Sequence, residues 1–391
     1  MSNQTHRAKE KALLAAGIPE SNSSIFWRLG FSVCDPVVLI ELPTATGVES
    51  VLILRDIEME RARKTARVDR VACPADYTPA GGLSGDRETA TAQAAAECLR
   101  RAGVTCVVGD RSLPLIYADF ARQAGLTVEC DPKCWVLERR QKTTQEIEFL
   151  RESQQVTGQV MQMACRMIAS ADVRPDGVLM RDGEPLTSER VRAAVEHWLL
   201  DRGFSNPTTI IAGGPAASDC HYLGFGELRT GEPVIVDIFP KNGRTRYCGD
   251  CTRTVVHGDI PEEVIRMHAA VRGAKAAAEK AIAAGVTGET VHLATVQAIR
   301  SAGYAYGLPG EKDPLSYCAL THGTGHGVGL DVHEPPLLDM KGPALMVGEA
   351  VTVEPGLYRR DLGGVRIEDL VVVTQHGCEN LNPLYDGLCW K

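Results

Sequence analysis

Four carboxylates stand inside or at the end of apolar, β-branched runs, where a carboxylate is costly to bury. Asp237 closes Val234-Ile-Val, and Asp250 precedes Thr252-Arg-Thr-Val-Val. Glu354 follows Val351-Thr-Val, and Glu368 lies within Val365-Arg-Ile-Glu-Asp-Leu-Val-Val-Val. Any fold built on these strands must neutralise each acid by pairing, protonation or metal binding. For a single acid, an ion pair with Arg253 or Arg366 explains the pattern as well as a functional role does. Asp237 and Asp250 are thirteen residues apart, and Lys241-Asn-Gly-Arg between them reads as a hairpin tip. Strands joined this way hold both acids at neighbouring positions of one face. Two bare carboxylates there repel, and one takes up a proton; divalent cations remove the conflict. Gly249, beside Asp250, reads as a position that eases the close approach of a ligand.

A second cluster is His322-Gly-Thr-Gly-His326-Gly-Val-Gly-Leu-Asp-Val-His333-Glu, which holds three of the ten histidines among four glycines. Isolated histidines are often satisfied core or loop residues, but this density points to metal binding or catalysis. Together the inventory is four carboxylates and one or more imidazoles. Such an oxygen-rich set suits Mn²⁺, Fe²⁺, Co²⁺ or Zn²⁺ better than a thiolate-type structural zinc site. Four acids exceed the needs of one ion and fit two. Two ions about 3.5 Å apart can share a water, lower its pKa to give hydroxide and polarise a carbonyl.

The rest of the chain frames this cluster. Its 391 residues exceed one ordinary core, so two domains are expected. Residues 1–142 read as a small α/β domain, with strands around Val37–Leu42 and Val51–Leu54. It continues with a helix over Arg87–Ala102, a strand from Val104, a helix over Leu115–Ala124 and a strand over Leu126–Cys130. The polar run Glu138-Arg-Arg-Gln-Lys-Thr-Thr marks the boundary, and residues 143–391 form the second domain. It opens with a Thr143/Glu146 capping box and a long amphipathic helix through Met167. Helices over Ser188–Leu200 and Pro261–Ala284 follow. Strands are expected over Thr208–Ala212, Pro233–Phe239, Thr252–Val256, Ala350–Glu354 and Val365–Thr374.

A net charge of −8 makes the chain a poor general ligand for nucleic acid or an anionic membrane. No run reaches the roughly 18 apolar residues of a membrane span. The polar stretch from Met1 to Lys11 lacks the apolar core of a signal peptide, so a cytoplasmic location is expected. Thirteen scattered cysteines read as reduced thiols. Cys248-Gly-Asp-Cys251 has redox-motif spacing but leads into a β-branched run, so packing cysteines are the better reading.

At these residues the sequence resembles the pita-bread-fold metallopeptidases, a group that includes prolidase, aminopeptidase P, methionine aminopeptidase and the metal-free creatinase. Five ordered motifs carry the resemblance: Asn206 through His221-Tyr, Ile235-Val-Asp237, Gly249-Asp-Cys-Thr-Arg-Thr, His322 through His333-Glu, and Val353-Glu-Pro-Gly with Arg366-Ile-Glu-Asp. It implies an α/β (α+β) chain whose small N-terminal domain precedes a creatinase/aminopeptidase-like catalytic domain. It implies two divalent ions, manganese first, with cobalt, zinc or iron as the other candidates. Asp237 would chelate one ion, Asp250 and Glu368 would bridge both, and His326 and Glu354 would complete the other. Glu354 would also take the proton of the bridging water. His221 and His333 would stabilise the tetrahedral intermediate, and His322 and Arg366 would contact the residue after the scissile bond. The first domain, with Ile25-Phe-Trp-Arg-Leu-Gly-Phe, is similar to that of prolidase, aminopeptidase P and creatinase. The implied enzyme is a homodimeric Xaa-Pro dipeptidase or aminopeptidase with a small peptide substrate.

The thirteen-residue spacing between the aspartates is longer than is usual in the family, which predicts a longer hairpin at Lys241–Arg246 that alters access to the site. The alternatives are a lyase or C–N hydrolase acting on a small molecule from the same scaffold, and a non-catalytic binding module.

Overall fold

A computed structural model describes residues 11–206 and 208–391. Most of the polar stretch read at the N-terminus, and Pro207 of the first motif, lie outside the described residues. The chain divides into two compact units, the first ending at Arg139 and the second running from Arg140 to Lys391.

The first unit is built on a six-stranded mixed sheet. Its spatial order is Arg70–Ala72, Gly47–Ile53, Val37–Thr44, Ala12–Gly17, Cys106–Asp110, Thr127–Asp131. Both faces are covered, which explains why Val37–Ile40 reads as an unbroken apolar run. Val38, Ile40 and Leu42 pack with the helices Arg87–Arg101 and Leu115–Gln123, while Val37 and Leu39 pack with Ile25, Leu29 and Trp135 on the other face.

The second unit opens with the helix Thr144–Ala169. Its capping box is formed: the Thr143 hydroxyl accepts from the Glu146 N–H, and the Glu146 carboxylate accepts from the Thr143 N–H. The apolar stripe Val160, Met161, Ala164 and Ile168 is buried against the antiparallel strands Pro233–Ile238 and Cys251–Val256. Three polar residues, Ser153, Gln154 and Thr157, share that buried stripe. Two larger sheets follow, beside two small ones formed by short strands. One has the order Ala305–Tyr306, Cys318–Leu320, Gly356–Arg359, Gly363–Arg366; the other Glu334–Leu338, Gly325–Gly327, Ala350–Val353, Asp369–Val373, Cys378–Asn380. The helices Glu262–Ala281 and Gly288–Ser301 pack against them.

Three readings of the sequence change here. The run Val365–Thr374 is two strands in two different sheets, Gly363–Arg366 and Asp369–Val373, with Ile367 and Glu368 at the break. The interruption arises because distant groups capture the Glu368 backbone: its N–H donates to the Thr252 carbonyl at 3.0 Å, and its carbonyl accepts from Arg253 at 2.6 Å. Likewise Ala350–Val353 ends before Glu354, and the next strand, Gly356–Arg359, belongs to the other sheet. Both glutamates therefore stand where the chain crosses between sheets.

Gly249 admits a helix and not a ligand. A β-carbon there would stand 2.1 Å from Thr157 Oγ1 and 2.9 Å from the Ser153 carbonyl oxygen.

The polar run at the boundary contains buried charges. Arg140 and Lys142 are buried, paired with Glu349 at 2.5 Å and Glu334 at 3.0 Å. Among the described residues, no helix is long and apolar enough to cross a membrane.

Candidate metal centre

All nine residues singled out from the sequence line one cavity of about 360 Å³ in the second unit. The antiparallel register sets the first two acids. Asp237 pairs with Thr252, so Asp250, two residues earlier, lies diagonally across on the same face. Asp250 is fixed through its backbone: Gln154 Nε2 donates to its carbonyl at 2.7 Å, and its N–H donates to Gln154 Oε1 at 2.9 Å. Glu368 enters from the break between sheets and accepts from the Thr252 hydroxyl at 2.7 Å.

His326 comes from the short strand Gly325–Gly327. Gly325 is required by close approach, since a β-carbon there would lie 2.0 Å from the Thr352 carbonyl oxygen. The His326 N–H donates to Thr352 Oγ1 at 3.0 Å, and that hydroxyl donates to Glu354 Oε1 at 3.2 Å. His326 Nδ1 lies 3.1 Å from the Gly327 carbonyl, a bond that places the proton on Nδ1. Its Nε2 then presents a lone pair 3.3 Å from Glu354 Oε1 and 3.8 Å from Asp250 Oδ2.

Three of the five expected ligands, Asp250, His326 and Glu368, bring one donor atom each within 4.8 Å of one another. Glu354 touches this group through His326. Asp237 lines the same cavity, with Oδ2 2.7 Å from Arg366 and Oδ1 buried without a hydrogen-bond partner. The ion-pair explanation of the acids is thus realised for Asp237 alone; Arg253 pairs instead with Asp369 at 2.7 Å.

The electrostatics express the crowding. Burial first, then Asp237 and Glu354, hold the Asp250 carboxyl well above its ordinary range. Burial first, then Asp250, Glu354 and Asp237, do the same to Glu368. Burial pushes Glu354 up to about 7 against the pull of Arg366, and pushes His326 down. Clustered acids that resist ionisation, an orphaned Asp237 oxygen and an imidazole lone pair aimed at carboxylates are satisfied together by divalent cations. The residues present fit such ions.

His221 and His333 are exposed at the mouth of the cavity, and the His333 ring stacks edge-on with His326 at 4.3 Å between centroids. The His333 loop is fixed by Glu334, which accepts from Lys142 and from the Asp331 N–H. His322 and Arg366 lie deeper, joined through Tyr358. Arg366 donates to the Tyr358 hydroxyl at 2.8 Å, and that hydroxyl is 2.8 Å from His322 Nε2. A guanidinium only donates, so the hydroxyl proton goes to Nε2, and His322 Nδ1 donates to the Gly323 carbonyl at 2.8 Å. In this geometry the polar atoms of His322 serve the protein itself.

Thr252, Thr352, Gln154 and Tyr358 were not anticipated. The threonines carried a signal: each lies two residues from an acid on an apolar run, hence on the same strand face.

The hairpin at Lys241–Arg246 contributes no lining residue. Its tip turns onto the long helix instead, with Arg244 on Glu152 at 2.6 Å and Asn242 on Glu152 at 3.2 Å. The expected effect on access to the site is therefore not found, because the extra residues pack away from the cavity. All thirteen cysteines are free, and burial pushes the Cys248 thiol up to about 12 and Cys251 well above its usual value. Both are packed as protonated thiols.

The model of metallopeptidase family M24 matches residues 148–375, more than half of the 391-residue chain. The chain belongs to metallopeptidase family M24. Among curated members it is 36% identical over 200 residues to a protein of Mycobacterium bovis named as a probable dipeptidase, PepE, with 50% of each chain covered. It is 29% identical over 244 residues to the Xaa-Pro dipeptidase of Pyrococcus furiosus, covering 61% of this chain and 62% of that one. The chain thus spans half to about three-fifths of the length of these curated M24 relatives. Among solved structures, an Xaa-Pro dipeptidase from Bacillus anthracis superposes with a TM-score of 0.79 at 23% identity, over 97% of this chain and 94% of that one. The prolidase from Pyrococcus furiosus superposes with a TM-score of 0.77 at 22% identity, over 96% and 97%. The M24 chain accordingly has the pita-bread fold, and the likeness in fold extends through the first unit.

Proposed function

We propose that this M24 member is a dinuclear metallopeptidase that hydrolyses the bond before proline, in Xaa-Pro dipeptides or at the N-termini of longer peptides. The observation that carries the reading is the convergence of Asp250, His326 and Glu368 within 4.8 Å, in a cavity that Asp237 and Glu354 also line. In this reading Asp237 would hold one ion, His326 and Glu354 would hold the other, and Asp250 and Glu368 would serve both. Divalent ions bound there, with Mn²⁺ the first choice, supply Lewis-acid polarisation of a carbonyl and acidification of water.

The chain's own residues do the rest. Glu354 receives the proton of the attacking water and returns it to the leaving nitrogen. His221 and His333, exposed at the mouth, donate N–H groups to the carbonyl oxygen as it gains negative charge. His322 and Arg366 shape the wall against the residue after the cleaved bond. The names of the PepE and Xaa-Pro dipeptidase relatives support the substrate class. A homodimer in the cytoplasm completes the reading.

The test is release of free proline from Xaa-Pro dipeptides, and of N-terminal residues from Xaa-Pro-Yaa peptides, with Mn²⁺ supplied and with a chelated control. Metal-dependent cleavage before proline, abolished by Asp250→Ala and strongly reduced by His333→Ala, is expected. A fully metallated protein that cleaves nothing on the panel would overturn the peptidase reading and direct attention to lyase or C–N hydrolase chemistry on small molecules.

A further inference from the structure

Charge is unevenly placed in the cavity. Beyond the four ligand carboxylates, the described lining residues include one Arg or Lys, Arg366, and one further acid, Asp339. Arg366 is buried and already committed. Its Nη2 donates to Asp237, its Nη1 to Tyr358 and to the Cys220 carbonyl, and its Nε to Thr252 Oγ1. Four of its five N–H groups are thus spent on the protein. His322 has both ring nitrogens engaged, as described above. The walls between are largely apolar, formed by Ile210, Leu223, Phe239, Val332 and Leu337.

Asp339 differs from the other acids in being accessible: its side chain is 41% exposed. Its Oδ1 accepts from the Met340 N–H at 2.7 Å and lies 3.5 Å from His292 Nε2. The Gly342 N–H donates to the Asp339 carbonyl at 2.8 Å, closing a tight turn that holds the residue in place. Its Oδ2 lies over Gly323, 3.2 Å from where a β-carbon would stand, beside His322.

A dipeptide brings its free carboxylate into the cavity together with the scissile bond, because only a few bonds separate them. An anion desolvated there meets Asp339 and an Arg366 whose donors are mostly used. A chain that continues as an amide carries no such charge, and a cationic side chain is attracted to Asp339. We infer that Asp339 is a specificity-determining residue that makes this cavity favour peptides continuing beyond the proline, above all those with a basic residue there, over free Xaa-Pro dipeptides. The inference rests on the peptidase reading, in which His322 faces the residue after the cleaved bond.

The experiment compares kcat/KM of the Mn²⁺-loaded full chain on Ala-Pro and on the C-terminal amides of Ala-Pro-Gln, Ala-Pro-Lys and Ala-Pro-Glu. Ala-Pro-Lys should exceed Ala-Pro-Gln, and Ala-Pro-Gln should exceed Ala-Pro-Glu, by roughly 2- to 5-fold at each step, as suits a half-exposed charge. Ala-Pro should be the poorest substrate. Asp339→Asn should bring the Lys/Glu ratio towards one, and Asp339→Lys should invert it. Raising the ionic strength should compress the ratio in the unmodified protein, a readout independent of whether either variant folds. Equal rates on the three tripeptides, or a preference for Ala-Pro that survives Asp339→Asn, would overturn the inference while leaving the peptidase reading intact. Absence of cleavage on the whole series would instead remove the peptidase reading, and the inference with it.

Discussion

Gln154 and Asp250 grip each other through a closed pair of hydrogen bonds, side-chain amide to backbone amide, at 2.7 and 2.9 Å. Gln154 sits on the buried stripe of the long helix and reaches no ligand atom itself. It fixes the backbone from which the Asp250 carboxylate projects. Gln154→Leu keeps the volume and leaves a buried N–H and C=O unpaired, at about 1–3 kcal/mol each. Denaturant unfolding should show that loss, and titration with Mn²⁺ should show affinity weakened by about 10-fold or more, as for other groups that support ligands from behind.

Thr352 joins two expected ligands, accepting from the His326 N–H and donating to Glu354. Thr352→Val removes the hydroxyl with little change in shape and frees both partners. The expected result is a fall in kcat of roughly 10-fold or more with KM little changed, because the defect lies in how Glu354, the proposed proton carrier, is held. Steady-state kinetics on one Xaa-Pro peptide separates the two parameters.

Gly325→Ala places a methyl group 2.0 Å from the Thr352 carbonyl oxygen, a backbone atom of the neighbouring chain segment. The strands must part, at about 1–3 kcal/mol, and His326 moves with them. Thermal unfolding and bound-metal analysis after dialysis should both report the change. An alanine variant that keeps full metal content would show that the segment carrying His326 yields without moving the ligand.

Proton linkage follows from the raised carboxyls. Glu354 is pushed up to about 7, and Asp250 and Glu368 stand well above their usual values, so the metal-free native state holds protons that the unfolded chain releases near pH 4. Native then binds more protons than unfolded. The stability of chelated protein should therefore fall as pH rises from about 4.5 through about 7. Metal must displace those protons, so apparent affinity should rise over the same window. Calorimetric titrations in buffers of different ionisation enthalpy count the protons released. A count of zero would show that the acids are already ionised before metal arrives.

The sequence exposed the acids and histidines because their physical cost is local: a carboxylate in a β-branched run is conspicuous wherever it folds. The long helix was equally legible from its capping box and its apolar period. What the sequence hid was the identity of distant neighbours. Gly249 announces a close approach but not that Thr157 makes it. Val365–Thr374 continues as an apolar run across a break that exists only because Thr252 and Arg253 claim the Glu368 backbone. The longer hairpin was visible as a spacing, yet its direction depended on Glu152 of the long helix. Gln154 was visible as a polar residue of the long helix, but neither its burial beside Ser153 and Thr157 nor its partner was.

Because Glu354 and Glu368 occupy the crossings between two sheets, cations bound there as proposed would rivet those sheets together. A ligand at 100 times its dissociation constant adds about 2.7 kcal/mol to native stability. Without it the seams are lined by carboxylates that resist lying together. In the proposed reading, cohesion of the second unit and metal supply are then one variable, so a starved pool of this protein would lose molecules as well as turnover.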